Sequence, residues 1–269
     1  MLIDGEETTA ETALTRLGAE GLPWHALNGG RCNRLWRIGS YVLKRYDDTA
    51  ASPMFPNDPR AEARALSLLG PMGLAPNLRA AGSDWVIYEH IPAANWSPQA
   101  NPAPLARMLH RLHGTPLPKE IFRLLPNGSS ALLAHAASFA PQGLPAPPAD
   151  PGLPPLPAVL VHSDVVLGNI LATGQGPLLI DWQCPGLGDP SEDLATLLSP
   201  AMMWLYTGQI APSGWGDALL RAYPDPEIVG RTRMLLPHYR WRMMAHCAWK
   251  AARGAVDYAE ALRIEIETP

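Results

Sequence analysis

The sequence lacks the marks of a secreted or membrane-spanning protein. Its 269 residues contain three cysteines, Cys32, Cys184 and Cys247, an odd number whose spacing matches no metal-binding motif. No apolar run approaches the length that spans a bilayer, and residues 1–9 are acidic, without the basic start and apolar centre of a secretion signal. We therefore expect no disulfide framework, no membrane partner, and a reducing cytoplasm as the compartment.

An excess of positive charge is also missing. The chain carries 21 lysines and arginines against 25 acidic residues, a net charge of −4, and no basic cluster is dense enough to indicate binding to nucleic acid or to a membrane surface. The apolar share of 47% is ample for a sizeable core, and the length suits one unit with two lobes. A small molecule is the expected partner.

The most informative stretch is a polar loop set between short apolar runs. Three of these runs are predicted as strands: 158–161, 170–172 and 178–180. Asp164, Asn169 and Asp181 each fall at the end of one of them. Taken singly, an Asp or Asn in a turn is usually a cap or an Asx-turn. Their joint spacing favours a functional set.

That spacing suits the transfer of a phosphoryl group. The reaction needs a carboxylate that orients and deprotonates the attacking hydroxyl, and oxygen ligands for the magnesium that neutralises the phosphates. Asp164 is predicted as the base, and Asn169 and Asp181 as the Mg2+ ligands.

Three motifs carry a resemblance to a known family. They are His162-Ser163-Asp164 with Asn169, Ile180-Asp181-Trp182, and residues 188–195. Together they resemble the aminoglycoside phosphotransferase and choline kinase group, and the likeness extends more weakly back to about Gly29. The resemblance implies ATP as phosphate donor and a bracing role for His162 in the catalytic loop.

The same resemblance implies the fold. We expect an α+β, two-lobed, protein-kinase-like fold with a small antiparallel-sheet N-lobe and a larger, mainly helical C-lobe. The expected division is a nucleotide-binding lobe, residues 1–91, and a catalytic and substrate-binding lobe, residues 92–269.

In the first lobe, the turn that holds Gly29, Gly30 and Asn33 lies between two predicted strands, where backbone N–H groups can approach nucleotide phosphates. A glycine pair is also common in ordinary hairpins. Lys44 follows on the next strand, where a phosphate-contacting lysine is required. Arg45 points to the opposite face, and a lysine that extends to solvent at a sheet edge is the alternative for Lys44.

Glu62 is the expected partner of Lys44. It lies on the apolar face of a helix predicted to begin at Asp58-Pro59 and to run to Gly70, and burying a charge there without a partner is costly. The alternative is a first-turn glutamate that only the helix dipole favours. By analogy with the family, backbone groups near Glu89 and Ile91 would bind adenine.

The C-terminal lobe offers weaker signals. Helices are predicted to begin at Asn101-Pro102 and at Asp189-Pro190, and over Ser130–Ala140. His110 and His113 have a spacing that could suit a metal, but packing is the simpler interpretation. The proline-rich residues 141–157 predict an extended connection.

The last third combines aromatic residues with arginines. Six aromatics could line a cation pocket or fill the core: Trp204, Tyr206, Trp215, Tyr239, Trp241 and Trp249. Four arginines could instead serve an acidic or phosphorylated substrate: Arg231, Arg233, Arg240 and Arg242. Asp189 and Asp193 are interpreted as structural anchors near the catalytic loop.

The leading hypothesis is an ATP-dependent small-molecule kinase with an alcohol acceptor, choline or ethanolamine favoured and an aminoglycoside or thiamine as alternatives. Ser163 stands where the family commonly has glycine, and Trp182-Gln183 replaces the Phe-Gly of protein kinases, which favours a small substrate. A catalytically silent nucleotide-binding regulator and a metal-dependent hydrolase are the competing classes. The sequence leaves open ATP or GTP and the oligomeric state.

Overall fold

The computed structural model describes residues 9–27, 32–116 and 122–268. The chain divides into two compact units, the first made of Met1–Ala94 and Leu178–Pro185, the second of Asn95–Pro177 and Gly186–Pro269. The expected division into lobes at Ile91 stays a prediction. None of the helices in the described part of the chain is both long and apolar enough to cross a membrane.

The first unit is built on an antiparallel sheet of five strands. In chain order its elements are α1 (Ala10–Arg16), β1 (Trp24–Ala26), β2 (Arg34–Ile38), β3 (Tyr41–Arg45), α2 (Pro59–Leu69), β4 (Leu78–Ala81) and β5 (Trp85–Glu89). The sheet order is β1-β2-β3-β5-β4. In its register Lys44 on the central strand β3 lies between Leu35 and Val86. The centre of β3, Val42 to Lys44, is therefore buried on both faces.

Helix α1 covers part of this sheet. Ala10, Ala13 and Leu14 pack with Ile38, Leu43 and Ile87 in one apolar cluster. Its N-cap is Thr9, whose side chain accepts a hydrogen bond from the backbone N–H of Thr12.

Helix α2 begins and faces inward as its sequence predicts. Asp58 is the N-cap and accepts hydrogen bonds from the backbone N–H groups of Arg60 and Ala61, and Pro59 takes the first helical position. The buried face consists of the predicted residues Glu62, Ala65, Leu66 and Leu69. This geometry places a carboxylate on an otherwise apolar surface.

The second unit is mainly helical. Its first elements are β6 (Ala94–Asn95), α3 (Ala103–His113), β7 (Arg123–Leu124), α4 (Ser129–Ala137), β8 (Val159–Val161), β9 (Ile170–Thr173), β10 (Gly176–Leu179) and β11 (Gly186–Gly188). Its remaining helices are α5 (Ser191–Leu198), α6 (Pro200–Thr207), α7 (Trp215–Ala222), α8 (Pro226–Ala251) and α9 (Val256–Glu267). Along the chain, β6 and β10 each cross a boundary between the units. The combination of antiparallel sheet and helices confirms the α+β class.

The long helix α8 organises the helical core. Leu235 and Tyr239 on α8 pack with Leu132 of α4 and Ala195 of α5. The predicted helix 130–140 lies at Ser129–Ala137, and the helices expected at Asn101 and Asp189 begin at Ala103 and Ser191.

The proline-rich connection is extended and fixed in place within the second unit. Asn127 exchanges two hydrogen bonds with the backbone of Leu156, at 2.8 and 3.0 Å. The Arg231 guanidinium donates to the Pro154 carbonyl at 2.7 Å, and the Trp241 indole donates to the Pro145 carbonyl at 2.9 Å. The segment is therefore a stiff connection, as predicted.

Candidate active site

Lys44 and Glu62 form the buried ion pair expected from the sequence. Lys44 Nζ lies 2.6 Å from Glu62 Oε2, and the two side chains are 1% and 0% exposed. Arg45 points to the other face of β3, where it pairs with the exposed Glu11 of α1. The strand's two-residue alternation thus selects Lys44 for the interior.

A third residue, Tyr46, contacts both members of this pair, and the sequence analysis did not predict it. Its hydroxyl donates to Glu62 Oε2, and its ring centroid lies 4.9 Å from Lys44 Nζ. The backbone N–H of Trp182 donates to the other oxygen, Glu62 Oε1, at 3.2 Å. Tyr46 lies two residues beyond Lys44 and therefore on the same side of the chain, so the alternation was the signal that could have found it.

Asp181 joins the same group of charges. Its carboxylate accepts a hydrogen bond from Lys44 Nζ, and its side chain is 28% exposed. Asp181 has a φ of 64°, in the left-handed region, directly before the fully buried Trp182. Burial by itself lowers the pKa of Lys44, but the carboxylates of Asp181 and Glu62 outweigh that effect and raise it above its ordinary value. Lys44 is therefore a permanent cation here.

The other residues predicted to bind nucleotide lie in the first unit as well. Asn33 donates to Gln183 Oε1 at 2.7 Å and to Asn57 Oδ1 at 2.9 Å, an amide network that sequence reasoning missed. Gly29 and Gly30 lie outside the described residues. Glu89 donates its backbone N–H to the Asn77 carbonyl at 3.0 Å, and the Ile91 carbonyl accepts from Ala93 at 2.9 Å.

In the second unit, the loop after β8 holds the predicted base. The carboxylate of Asp193 accepts the backbone N–H groups of His162 at 2.9 Å and of Ser163 at 2.8 Å. Ser163 has a φ of 70°, a left-handed conformation that an L residue rarely adopts. This turn presents Asp164, which is 4% exposed. His162 Nδ1 accepts the backbone N–H of Asp164 at 3.2 Å, in keeping with a bracing role.

Asn169 lies against Asp164, as their spacing predicts. Its amide nitrogen donates to the Asp164 carbonyl at 3.0 Å and to Asp164 Oδ2 at 3.2 Å. Gly168 beside it is required: a Cβ there would lie 2.3 Å from Cδ1 of Tyr206 on α6. The hydrogen bonds of Asn169 and the Tyr206 ring beside Gly168 thus confine this loop.

The two predicted anchors have different partners. Asp193 holds the loop directly, as described above. Asp189 instead accepts the Nε–H of Arg231 at 2.5 Å and the hydroxyl of Ser191 at 2.6 Å, so it ties α5 to α8.

The aromatic residues of the last third separate into two groups. Trp215, Tyr239 and Trp241 are buried in the core, whereas Trp204, Tyr206 and Trp249 are half-buried. Of the arginines, three are occupied within the unit: Arg231 with Asp189, Arg240 with Glu265, and Arg242 with Glu192. The exposed Arg233 lies 3.5 Å from Asp217. Three of the four arginines thus already have a carboxylate partner at 3.1 Å or less.

Each of the two predicted magnesium ligands keeps an oxygen suited to Mg2+ within its own unit. Both hydrogen bonds of Asn169 to Asp164 use the amide nitrogen, so they leave its oxygen for a metal. Asp181 is partly exposed and supplies a carboxylate. Within 9–27, 32–116 and 122–268 there is no group of three or more His, Cys, Asp or Glu that could hold a metal. Magnesium needs none, because one or two protein ligands, phosphates and water complete its shell.

The histidines at 110 and 113 do not form a metal site. Both ring nitrogens of His113 are hydrogen-bonded, Nδ1 to the Tyr223 hydroxyl at 2.8 Å and Nε2 to Asp193 Oδ2 at 3.1 Å. His110 is exposed and packs edge-on against the Tyr223 ring.

Comparison with known proteins places the chain in a family. Residues 24–234 match the Phosphotransferase enzyme family. A probable ketoamine kinase of Thermus thermophilus is 29% identical over 252 residues, which cover 86% of this chain and 88% of that protein.

Two solved structures share the fold. A choline/ethanolamine kinase family protein from Mesorhizobium loti has a TM-score of 0.70 and 20% identity, covering 96% of this chain and 93% of that one. The streptomycin–ATP–APH(2″)-IIa ternary complex has a TM-score of 0.63 and 15% identity, covering 98% and 97%. These likenesses confirm the kinase-like fold. Because the family match spans most of the sequence, the chain belongs to the Phosphotransferase enzyme family and is a phosphotransferase enzyme.

Proposed function

We propose that the protein is an ATP-dependent kinase that transfers the γ-phosphoryl group to a hydroxyl of a small molecule. The observation that carries the proposal is the buried ion pair of Lys44 and Glu62, whose lysine also contacts Asp181. Burying such a set of charges costs free energy even when they are paired, so a functional role explains why the protein keeps it. A lysine fixed by a glutamate is the arrangement that protein kinases use to hold ATP phosphates.

Each remaining residue has a role in this proposal. Asp164 orients the acceptor hydroxyl and takes its proton as the oxygen bonds to the γ-phosphorus, while the bond from that phosphorus to the ADP oxygen breaks. His162 and Asn169 hold Asp164 in place through the hydrogen bonds described above. Asn169 and Asp181 would hold Mg2+, which supplies neutralising charge for the phosphates. Backbone groups near Glu89 and Ile91 stay the predicted adenine contacts.

For the acceptor we propose an alcohol that also carries a positively charged nitrogen, either a protonated amine or a quaternary ammonium group. This chemistry is shared by choline, ethanolamine, ketoamines and aminoglycosides, the classes named for the similar proteins. The net charge of −4 and the paired arginines of the second unit support a cationic acceptor over an anionic one. A ketoamine is the first to test, because the relative with 29% identity carries that name. We also propose a cytoplasmic location. The three cysteines are free thiols, which fits a reducing compartment.

The test is consumption of ATP with magnesium across a panel of ketoamines, choline, ethanolamine, thiamine, sugars and aminoglycosides. The Asp164→Asn protein is the control, and we expect it to bind nucleotide but to lose most turnover, roughly a hundredfold or more. Unchanged turnover in this variant would remove Asp164 from its role. Binding of Mg-ATP without transfer to any acceptor would favour the silent regulator, and acceptor-independent release of phosphate would favour a hydrolase.

A further inference from the structure

A buried chain of side chains lies behind the loop that presents Asp164. Tyr223, at the end of α7, contacts His113 Nδ1 through its hydroxyl at 2.8 Å, and His113 Nε2 contacts Asp193 Oδ2 at 3.1 Å. The same carboxylate accepts the backbone N–H groups of His162 and Ser163. One hydrogen-bonded path therefore joins α7, α3, α5 and the loop, all within the second unit.

The groups at the two ends of this path, the Asp193 carboxylate and the Tyr223 hydroxyl, determine which atoms donate along it. A carboxylate that accepts two backbone N–H groups also accepts from the imidazole, so the proton lies on Nε2 of His113. In the neutral ring Nδ1 is then an acceptor for the Tyr223 hydroxyl. Burial raises the pKa of Tyr223, which keeps its hydroxyl protonated as a donor.

The turn at Ser163, which these side chains hold, has a backbone conformation that must be stabilised by its surroundings. Ser163 has a φ of 70°, and a left-handed residue with a Cβ persists only when its surroundings determine it. The two Asp193 hydrogen bonds fall on Ser163 and on its neighbour His162, directly before Asp164. The orientation of one buried carboxylate thus sets the conformation of the turn, and His113 is the side chain that fixes this carboxylate from behind.

We infer that His113 is a positioning residue for phosphoryl transfer: by orienting Asp193 it holds the left-handed turn at Ser163 and so sets the place of Asp164. The inference rests on the proposed function for its catalytic consequence, but its structural part stands on the hydrogen bonds alone. His113 touches neither substrate nor Asp164 in this account and acts through Asp193.

Two variants separate the hydrogen bond to Asp193 from simple packing. In His113→Gln the side-chain amide reaches the position of Nε2 and can still donate to Asp193. In His113→Asn the amide ends at the position of Nδ1, so it can face Tyr223 but cannot reach Asp193. Arg107→Gln is the matched control, because Arg107 lies on the same helix and is exposed.

The first measurement is hydrogen exchange of the peptide that carries His162 and Ser163. In His113→Asn we expect the exchange of these amides to accelerate about tenfold or more, because their acceptor is no longer fixed. In His113→Gln and Arg107→Gln we expect the wild-type rate. Equal rates in His113→Asn and the wild type would overturn the inference, whether or not the protein turns over. Exchange therefore decides on His113 even if no acceptor is phosphorylated and the proposed function fails.

The second measurement is kinetic. In His113→Asn we expect kcat to fall roughly ten- to a hundredfold with the KM for ATP unchanged, and His113→Gln to recover most of the loss. Because glycine adopts the left-handed conformation without strain, the effect of His113→Asn should shrink when it is measured in a Ser163→Gly background. Equal losses in the Asn and Gln variants, or an effect of the same size in both backgrounds, would contradict the role.

Discussion

At the scale of single residues, buried charge was the most reliable guide to the site. Glu62 lies on an apolar helix face, and the cost of burying it without a partner predicted its pairing with Lys44. Tyr46 was not found, because a tyrosine in an apolar environment needs no explanation until its hydroxyl is seen to donate to Glu62. Sequence patterns thus show which charges need a partner, but not how many partners they have.

Breaking the Lys44–Glu62 ion pair should make the loss of unfolding free energy depend on pH. Burial raises the pKa of Glu62, and Lys44, the next largest influence, opposes that rise. In Lys44→Met the folded state must hold an uncompensated carboxylate near neutral pH, which we expect to cost about 3–5 kcal/mol of unfolding free energy. As the pH falls, the folded protein takes up a proton before the unfolded one does, so the deficit relative to the wild type should shrink.

Chemical denaturation of both proteins at several pH values between neutral and mildly acidic checks this. Arg45→Met is the control, since its partner Glu11 is 57% exposed and an exposed pair contributes less than about 1 kcal/mol. A Lys44→Met deficit that stays constant across this pH range would show that Glu62 does not titrate as a buried acid.

Ser163 is the residue whose backbone conformation disagrees with its type. Its φ is 70°, it is 2% exposed, and its hydroxyl has no hydrogen-bond partner among the described residues. Replacing it by glycine removes the left-handed strain and the unsatisfied hydroxyl, although glycine loses more entropy on folding. We expect Ser163→Gly to raise the unfolding free energy by about 1 kcal/mol in denaturant titrations.

Ser163→Ala separates the two causes, because it removes the hydroxyl and keeps the Cβ. We expect the alanine variant to gain less than the glycine variant. An alanine variant less stable than the wild type would mean that the Ser163 hydroxyl stabilises the fold.

At the scale of elements, one local motif begins four helices. Asp58, Asn101, Asp189 and Asp225 each precede a proline, and each side chain accepts the backbone N–H two residues on, at 2.9 to 3.0 Å. The sequence predicted three of these starts to within a residue or two. The shift at Asn101 and Asp189 has a simple cause: the same Asx-proline bond forms, but Pro102 and Pro190 are the caps of α3 and α5. The signal at Asp225-Pro226 begins α8 and was equally readable.

The cap of α2 provides a direct test at this scale. Asp58 accepts the N–H groups of Arg60 and Ala61 at 2.9 and 3.1 Å, and Asp58→Ala leaves both without that acceptor. We expect a loss of about 1 kcal/mol in unfolding free energy, measured by denaturant titration. Asp48→Ala, at an exposed position, is the control and should change little. Equal stability of the two variants would show that Pro59 alone is enough to begin the helix.

At the scale of the whole molecule, the sequence predicted the class of fold, because strand and helix patterns are local. The division into two lobes stays a prediction. A linear division at Ile91 assigns Asp181 to the second lobe, whereas Leu178–Pro185 is compact with the first unit, because that segment returns to it. Local patterns do not encode such a return. The roles of the site residues stay predictions, and Gly29 and Gly30 lie outside the described residues.

The proposed roles of Lys44 and Asp181 can be tested through the effect of nucleotide on the stability of the folded protein. A nucleotide that binds only the native state stabilises it by mass action, about 2.7 kcal/mol at a hundred times its Kd. We expect Mg-ATP to raise the Tm of the wild type, with ATP plus a chelator giving a smaller rise. Asp181→Asn should lose the magnesium-dependent part while keeping the remainder, because Lys44 and Glu62 are still present.

The comparison must use the rise in Tm for each protein, because Asp181 contacts Lys44 and its replacement also changes the stability without ligand. Asp84→Asn, an exposed position in the same unit, should respond to Mg-ATP as the wild type does. If Asp181→Asn kept the full magnesium-dependent rise, Asp181 would be the partner of Lys44 and not a metal ligand. If the wild type showed no rise with any nucleotide, the buried lysine pair would be a structural feature, and the kinase proposal would lose the observation that carries it.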